Sequence, residues 1–581
     1  MRDVIVIGAG GGGPVVAKEL AARGLDVLIL EAGPRFADPE KEWSHYEIDA
    51  NGGYLRFGPA DLSKPAWFRD LPQNSALQQL SGVGGTTLHY FGNSPRSVPG
   101  VFLNYQGADK DNYDVAHIFP FTYRELIPYY EWVESTLPVE TAPMGTKEEI
   151  FLRAAERMGL PFQETKDAFK AGFRPQENAI LQPGGHAGKT MDPALLMYPH
   201  SKGCTFCGHC MQGCYLPRGG PRNLKAKRST DNSYMPMALT ADVWAHGKRA
   251  TLITDAFAVK VTTDAQNVAR SVTWRIGKTG ELVTEEARVI VMAAGTVETP
   301  RLWLNSGLPN PNDQVGRGFT DHFSDALGGL LPFDGAMSKG PGSNARIDFP
   351  GYGAIEQFVA TPAFSGSSAT LSDAGIAGYY NNGVQEQGSG ADVVGRVVGK
   401  ELRTIMADID RVLTVVVLTD DDVEAQNRVT QSFAFPPDEH GPVPRVEVHQ
   451  RARTARTIRN REYLNRQAVN LLRAAGSYKT YRFNFPPTMI HIHSTMRMGL
   501  SETDTVVEET GEARWVKQLY IADNSSLANS VGGANPTLTT QALATRTAER
   551  IFQRYFGGDP WVAKESPVSS VAEAVTQAVQ Q

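Results

Sequence analysis

Val4-Ile5-Val6-Ile7-Gly8-Ala9-Gly10-Gly11-Gly12-Gly13 decides the fold. Four apolar residues in a row, all of them β-branched, predict a short strand buried on both faces. A helix is expected from Val15 to Ala22, with Gly24 ending it. Asp26-Val27-Leu28-Ile29-Leu30 then makes a second strand that ends at Glu31. Gly8, Gly10 and Gly13 form G-x-G-x-x-G between strand and helix. In that context the first glycine allows the tight turn. The second lets a pyrophosphate approach the backbone, and the third lets the helix pack on the strand. The helix N-terminus then faces the phosphates. Glu31, placed 18 residues after Gly13, is positioned to accept hydrogen bonds from a ribose diol. Its position fits FAD or NAD equally.

Working outward, 581 residues are too many for one core, and two interleaved domains are expected. The hydrophobic share of 41% and charged share of 21% are those of a soluble globular protein. A formal net charge of −6, with no long run of Lys or Arg, favours neither nucleic acid nor an anionic membrane surface. The first residues enter a strand directly, and no apolar stretch is long enough to span a bilayer. A soluble, cytoplasmic protein without membrane insertion is expected.

Strand patterns return at Thr251–Thr254, Ala256–Thr262, Ala269–Ile276 and Arg288–Ala293, the last running into Ala294 and Gly295. Helices are expected at Tyr123–Val133, Lys147–Met158, Ala452–Ala475 and Thr539–Phe556. Strand-like runs at Val412–Leu418 and Arg445–His449 point to a second unit. The expected class is α/β: a Rossmann-like dinucleotide-binding domain with an inserted α+β substrate domain of antiparallel sheet and helices. The first domain takes residues 1–35, 76–100, 200–319 and 491–560. The second takes 36–75, 101–199 and 320–490, and 561–581 is a tail.

Five later segments resemble the glucose–methanol–choline (GMC) oxidoreductases, in family order across nearly the whole chain. Gly84-Gly85-Thr86-Thr87-Leu88-His89 resembles their flavin-contacting loop. Gly295-Thr296-Val297-Glu298-Thr299-Pro300-Arg301-Leu302 resembles their second signature. Tyr520-Ile521-Ala522-Asp523-Asn524-Ser525 resembles the segment whose Asp contacts the flavin ribityl chain and phosphates. His491-Ile492-His493-Ser494-Thr495-Met496-Arg497-Met498-Gly499 and Gly532-Gly533-Ala534-Asn535-Pro536-Thr537-Leu538-Thr539 resemble the two catalytic segments. Trp303 and Pro309 depart from the commonest second signature. The position of His89 resembles that in pyranose oxidase and in gluconate and fructose dehydrogenases.

The resemblance implies FAD as cofactor, held by Gly8, Gly10, Gly13, Glu31, Gly84, Gly85, Thr86, His89, Ala294, Gly295, Asp523, Pro536 and Thr537. His89 is the candidate for a covalent bond to the flavin, or else stacks near the ring. The implied reaction oxidises an alcohol, a sugar, glycoside or polyol hydroxyl, to a carbonyl by hydride transfer to flavin N5. His491 is the implied base and Asn535 the group that orients the oxygen. A neutral imidazole suits a base, because its ordinary pKa of ~6.5 lies near working pH. His493, two residues on, would face the other way in an extended segment and is expected to be structural. Ser494, Thr495 and Arg497 are expected to shape the loop. A hydroxynitrile-lyase-like reaction without net redox and a non-catalytic FAD-binding electron carrier are the alternatives.

All four cysteines cluster as Cys204-x2-Cys207-x2-Cys210-x3-Cys214. A secreted disulfide scaffold would spread them. The spacing is that of ferredoxin loops, so an iron–sulfur cluster of three or four irons is expected, against zinc, local disulfides or free thiols. A cluster would imply an electron-acceptor protein as partner, and without one electrons would pass to oxygen. Lys225, Lys227 and Arg228, just after this loop, are expected on a solvated face.

Overall fold

The computed structural model describes residues 1–36, 69–72, 76–77, 79–183, 203–214, 224–277, 279–359, 361–371, 388–448, 453–483 and 488–580. Most of residues 36–75, expected in the second domain, lies outside them, as does His449.

The first sheet is built on Arg2–Ile7, whose Val4, Ile5 and Val6 are fully buried. Parallel neighbours are Val27–Leu30 on one side and Leu282–Met292 on the other. Thr251–Ile253 extends the first side and Leu519–Ile521 the second, again in parallel. Strands buried on both faces read as unbroken apolar runs, which is why VIVI and VLIL were legible as strands. Leu282–Met292 is longer than the expected Arg288–Ala293. Its first half pairs antiparallel with Ala269–Ile276, which pairs in turn with Ala256–Thr263. One strand thus belongs to a parallel sheet at its far end and to a meander at its near end. The helix Gly13–Ala21 covers the sheet with Pro14 in its first turn, where the missing N–H costs nothing.

The second sheet runs, in space, Val393–Val394, Lys479–Arg482, Asp325–Leu330, Val412–Thr419, Gly353–Phe358, Ala345–Phe349 and Gly172–Pro175. All its pairings are antiparallel except that of Val393–Val394. Alternate residues of Val412–Thr419 serve two cores. Leu413, Val415 and Val417 pack with Leu464, Ala468 and Leu472 of the helix Ala455–Ala474. Val412, Val416 and Leu418 face the other way, beside Phe358 and Tyr481. Of the expected strand Arg445–His449, Pro444–Glu447 forms, but it pairs with Arg428–Gln431 and, through a single bridge, with Asp70, apart from this sheet.

The stretch 101–199 is divided between the two units. Gly172–Pro175 is an edge strand of the second sheet, whereas the helix Tyr123–Thr136 packs into the core of the first. The tail is ordered where it is described. Trp561 and Val571 are buried, and a helix forms at Glu573–Gln580. No helix among the described residues is long and apolar enough to cross a membrane.

Candidate active site

A cavity with ≈ 1300 Å³ of open space runs along the carboxyl ends of the parallel strands, where ligands of open α/β sheets bind. From the N-terminal unit Gly8, Gly10 and Glu31 line it. From the predicted flavin loop come Gly85 and Thr86, and from the second signature Ala294 and Gly295. The C-terminal segments add Asp523 and Thr537. Gly13, Gly84 and Pro536 stand behind this lining, and His89 follows the Gly85–Leu88 turn that supplies Gly85 and Thr86 to it. The Gly84 N–H donates to the Ala9 carbonyl at 2.8 Å, and Pro536 caps the helix Thr537–Phe556.

The three motif glycines have different reasons to be glycine. A Cβ on Gly8 would lie 2.3 Å from the Ala293 carbonyl oxygen, at a φ of +106°. One on Gly13 would lie 2.0 Å from the Gly8 carbonyl oxygen. One on Gly10 would meet no protein atom within 4 Å. Gly8 and Gly13 are therefore required by the fold, and Gly10 by whatever fills the cavity. Two helix N-termini, those of Gly13–Ala21 and Thr537–Phe556, bring partial positive charge to this side of the sheet. An open backbone beside such ends fits a dinucleotide pyrophosphate.

The two acids also brace the cradle. Glu31 accepts from the backbone N–H groups of Ala9 and Gly33, both at 2.8 Å. Asp523 accepts from the Gly295 N–H at 2.9 Å, from the Thr299 hydroxyl at 2.6 Å and from the Ser525 N–H at 2.7 Å. Burial pushes both carboxyls above their ordinary pKa. Asp523 thus ties the second signature to the C-terminal segment whatever it does for a ligand.

His491 is flanked in sequence by Ile490 and Ile492, which line the cavity. Its backbone N–H donates to Asp321 at 2.8 Å, and its Nδ1 lies 3.0 Å from Nδ1 of His322. The other nitrogen of His322, Nε2, lies 3.2 Å from the Ser530 carbonyl oxygen. His322 therefore joins the His491 segment to the segment that carries Asn535. Burial lowers the His491 pKa to about 4, so the ring is neutral at pH 7.

Asn535 is held by charge. Arg346 Nη1 lies 3.5 Å from its Oδ1, and its amide N–H donates to Glu356. Arg346 is buried and fixed in turn, donating to Asp348 at 2.7 and 2.9 Å and to Glu356 at 3.0 Å. Such multiply held, charge-assisted contacts give an amide one orientation.

His493 is fully buried, with Nδ1 2.7 Å from the Ser494 hydroxyl, and Ser494 adopts a φ of +71°. Thr495 donates to the Thr296 carbonyl at 2.7 Å, and Arg497 to that of Asp504. These residues shape the loop.

Two expectations are corrected. Lys227 and Arg228 are fully buried and Lys225 nearly so, which excludes a solvated face. Lys227 Nζ donates to the carbonyls of Leu88 at 2.8 Å and of Tyr90 and Cys210 at 2.7 Å. It pins both ends of His89 and binds the cysteine loop to the flavin loop. Burial, and then the Lys227 ammonium, lower the His89 pKa to about 3. The expected iron–sulfur cluster is not supported. Cys204, Cys207, Cys210 and Cys214 line one small cavity as free thiols, but among the described residues no three His, Cys, Asp or Glu are placed to hold a metal ion. Burial pushes the Cys204 thiol up to about 12 and that of Cys210 up as well. Close spacing in sequence brought the sulfurs to one cavity without giving them a ligand geometry.

His322, Asp321, Arg346 and Glu356 were not anticipated. The adjacent Asp321-His322 pair ahead of a strand was the available signal. Arg346 and Glu356 come together only through the pairing of Ala345–Phe349 with Gly353–Phe358, which places them opposite each other.

Comparison with known proteins agrees with this layout. The GMC oxidoreductase family model matches residues 175–324 for its N-terminal part and 407–544 for its C-terminal part. An FAD-binding-domain model matches residues 3–47. The 6'''-hydroxyparomomycin C oxidase of Streptomyces lividus is 26% identical over 94% of this chain and 91% of its own. The fructose dehydrogenase large subunit of Gluconobacter japonicus is 26% identical over 94% of this chain and 97% of its own. The 2-methyl-1,2-propanediol dehydrogenase of Mycolicibacterium austroafricanum is 24% identical over 95% of each. Among solved structures, pyridoxine 4-oxidase from Mesorbium loti superposes with a TM-score of 0.60 at 14% identity, covering 96% of this chain and 100% of its own. The lyase alternative finds no support in these relatives.

Proposed function

The chain belongs to the GMC oxidoreductase family and is an FAD-dependent enzyme acting on CH–OH groups, and from that premise we propose that it oxidises a hydroxyl of a sugar, glycoside or polyol to a carbonyl. FAD, when bound, supplies a hydride acceptor at N5. His491 takes the hydroxyl proton. Asn535 donates from its amide to the same oxygen and sets the angle at which the carbon faces the flavin. The relatives named for fructose and for a diol support a polyhydroxylated substrate. Oxygen and a carrier protein are both open to such an enzyme as final acceptor. Covalent attachment of the flavin would run through His89, whose neutral ring is the nucleophilic form.

The observation that supports this reading is the His322 bridge, whose two ring nitrogens reach His491 and the Ser530 carbonyl, five residues before Asn535. The test is anaerobic addition of a panel of sugars and polyols to flavin-loaded protein. Bleaching of the oxidised flavin by a member of the panel, slowed by ~10²-fold or more in His491→Ala, is expected. Equal bleaching in the variant would remove His491 from the role of base.

A further inference from the structure

An imidazole base is ambiguous, since the proton of the neutral ring can sit on either nitrogen and only the bare nitrogen can act. The contacts around His491 resolve the ambiguity. They begin at the Ser530 carbonyl, an oxygen that can only accept. For its 3.2 Å contact to be a hydrogen bond, His322 must carry a proton on Nε2. His322 is neutral, because it is buried and the groups facing it are His491, His493 and Arg346. One proton on Nε2 leaves Nδ1 bare. That nitrogen can then only accept from His491 Nδ1, 3.0 Å away. His491 thus keeps its own proton on Nδ1, and its Nε2 carries the free lone pair.

From this chain, and resting on the reading of His491 as base, we infer that His322 is a positioning residue that fixes His491 in the tautomer whose Nε2 receives the substrate proton. Its role parallels that of the carboxylate in a Ser-His-Asp triad, with one difference. A carboxylate would raise the base's pKa, whereas a neutral imidazole orients it without charge. When Nε2 of His491 accepts the hydroxyl proton, both its nitrogens are protonated and the bond to His322 becomes charge-assisted. The proton goes no further, because the chain ends on a peptide carbonyl. Asp321 completes the setting by holding the backbone of Ile490 and His491.

The test uses flavin-loaded protein labelled with 15N in histidine. The His491 resonances are identified by their loss in His491→Ala. The expected spectrum has Nδ1 protonated and Nε2 bare. A wild-type His491 protonated on Nε2 overturns the inference while leaving His491 free to be the base by another route. Loss of the base reading itself shows separately, as undiminished turnover in His491→Ala. In His322→Leu the two tautomers are expected to mix, and kcat for D-fructose, or for the best sugar of the panel, should fall a few-fold to about tenfold, in step with the share of His491 found protonated on Nε2, with KM little changed. His322→Asn keeps an acceptor within reach of His491 Nδ1 and should recover most of that loss. If Leu and Asn lower kcat, melting temperature and flavin retention alike, His322 is structural only and the inference falls.

Discussion

Arg346 Nη1 lies 3.5 Å from Asn535 Oδ1, and the same nitrogen donates to Glu356 at 3.0 Å. The amide of Asn535 therefore turns its oxygen toward a cation and an N–H toward Glu356, which in the proposed function leaves its second N–H for the substrate oxygen. Arg346→Lys keeps the charge but loses the planar fork. Asn535 should then sample both orientations, and kcat/KM should fall by about tenfold, a modest loss beside the ~10²–10³-fold given by removing an oxyanion donor outright. Steady-state kinetics beside those of Asn535→Ala checks the order of the two effects.

The glycine motif separates folding from binding. Gly10→Ala adds a methyl that meets no protein atom, so the melting temperature of the flavin-free protein should hardly change while FAD affinity collapses. Gly13→Ala drives a methyl to 2.0 Å from a carbonyl oxygen, and destabilisation of more than about 3 kcal/mol is expected before any ligand is added. Denaturant melts and flavin titrations of the two variants decide the matter.

Acid should act on the site in two stages. Asp321, whose pKa burial raises to about 6, holds the backbone of His491 as a carboxylate and relaxes when protonated. His491, its pKa lowered by burial to about 4, loses the lone pair that does the work only below that value. The base form is thus present above pH 4 and lost as pH falls through it. kcat/KM should dip slightly near pH 6 and fall tenfold per unit below about 4. Asp321→Asn should abolish the upper inflection and keep the lower one, as a pH series would show.

Lys227 is a buried ammonium satisfied by three carbonyls. Lys227→Met would remove this donor from the Leu88 and Tyr90 carbonyls, at about 1–3 kcal/mol each before relaxation, while the Cys210 carbonyl keeps the Gly213 N–H at 3.2 Å. The flavin loop should loosen, and flavin should dissociate faster on dilution. Fluorescence of released FAD measures this. If His89 is joined to the flavin, acid precipitation of wild type retains the colour and His89→Ala releases it.

The N-terminal unit was legible because its signals are local: apolar runs, punctuating glycines and a fixed spacing from Gly13 to Glu31. His491 and Asn535 were legible only through their resemblance to a family, since nothing in a single His or Asn announces chemistry. Their partners were illegible for a physical reason. His322 meets His491 across 169 residues, and Arg346 meets Asn535 across 189. Such contacts are made by sheet register and packing. The same limit misled the reading of Lys227 and Arg228. A cationic triplet reads as solvated unless the carbonyls that will receive it are known.

The strand Leu282–Met292 carries one further consequence, for biosynthesis. Arg2–Ile7 and its near neighbour Val27–Leu30 leave the ribosome well before the parallel partner on the other side, Leu282–Met292, some 280 residues later, and Leu519–Ile521 follows later still. The nascent N-terminal unit must wait, one apolar edge unpaired, while those residues are made. Domains usually fold as they are made. Here the sheet closes only when Leu519–Ile521 arrives, so a ribosome stalled before residue 519 holds an exposed sheet edge.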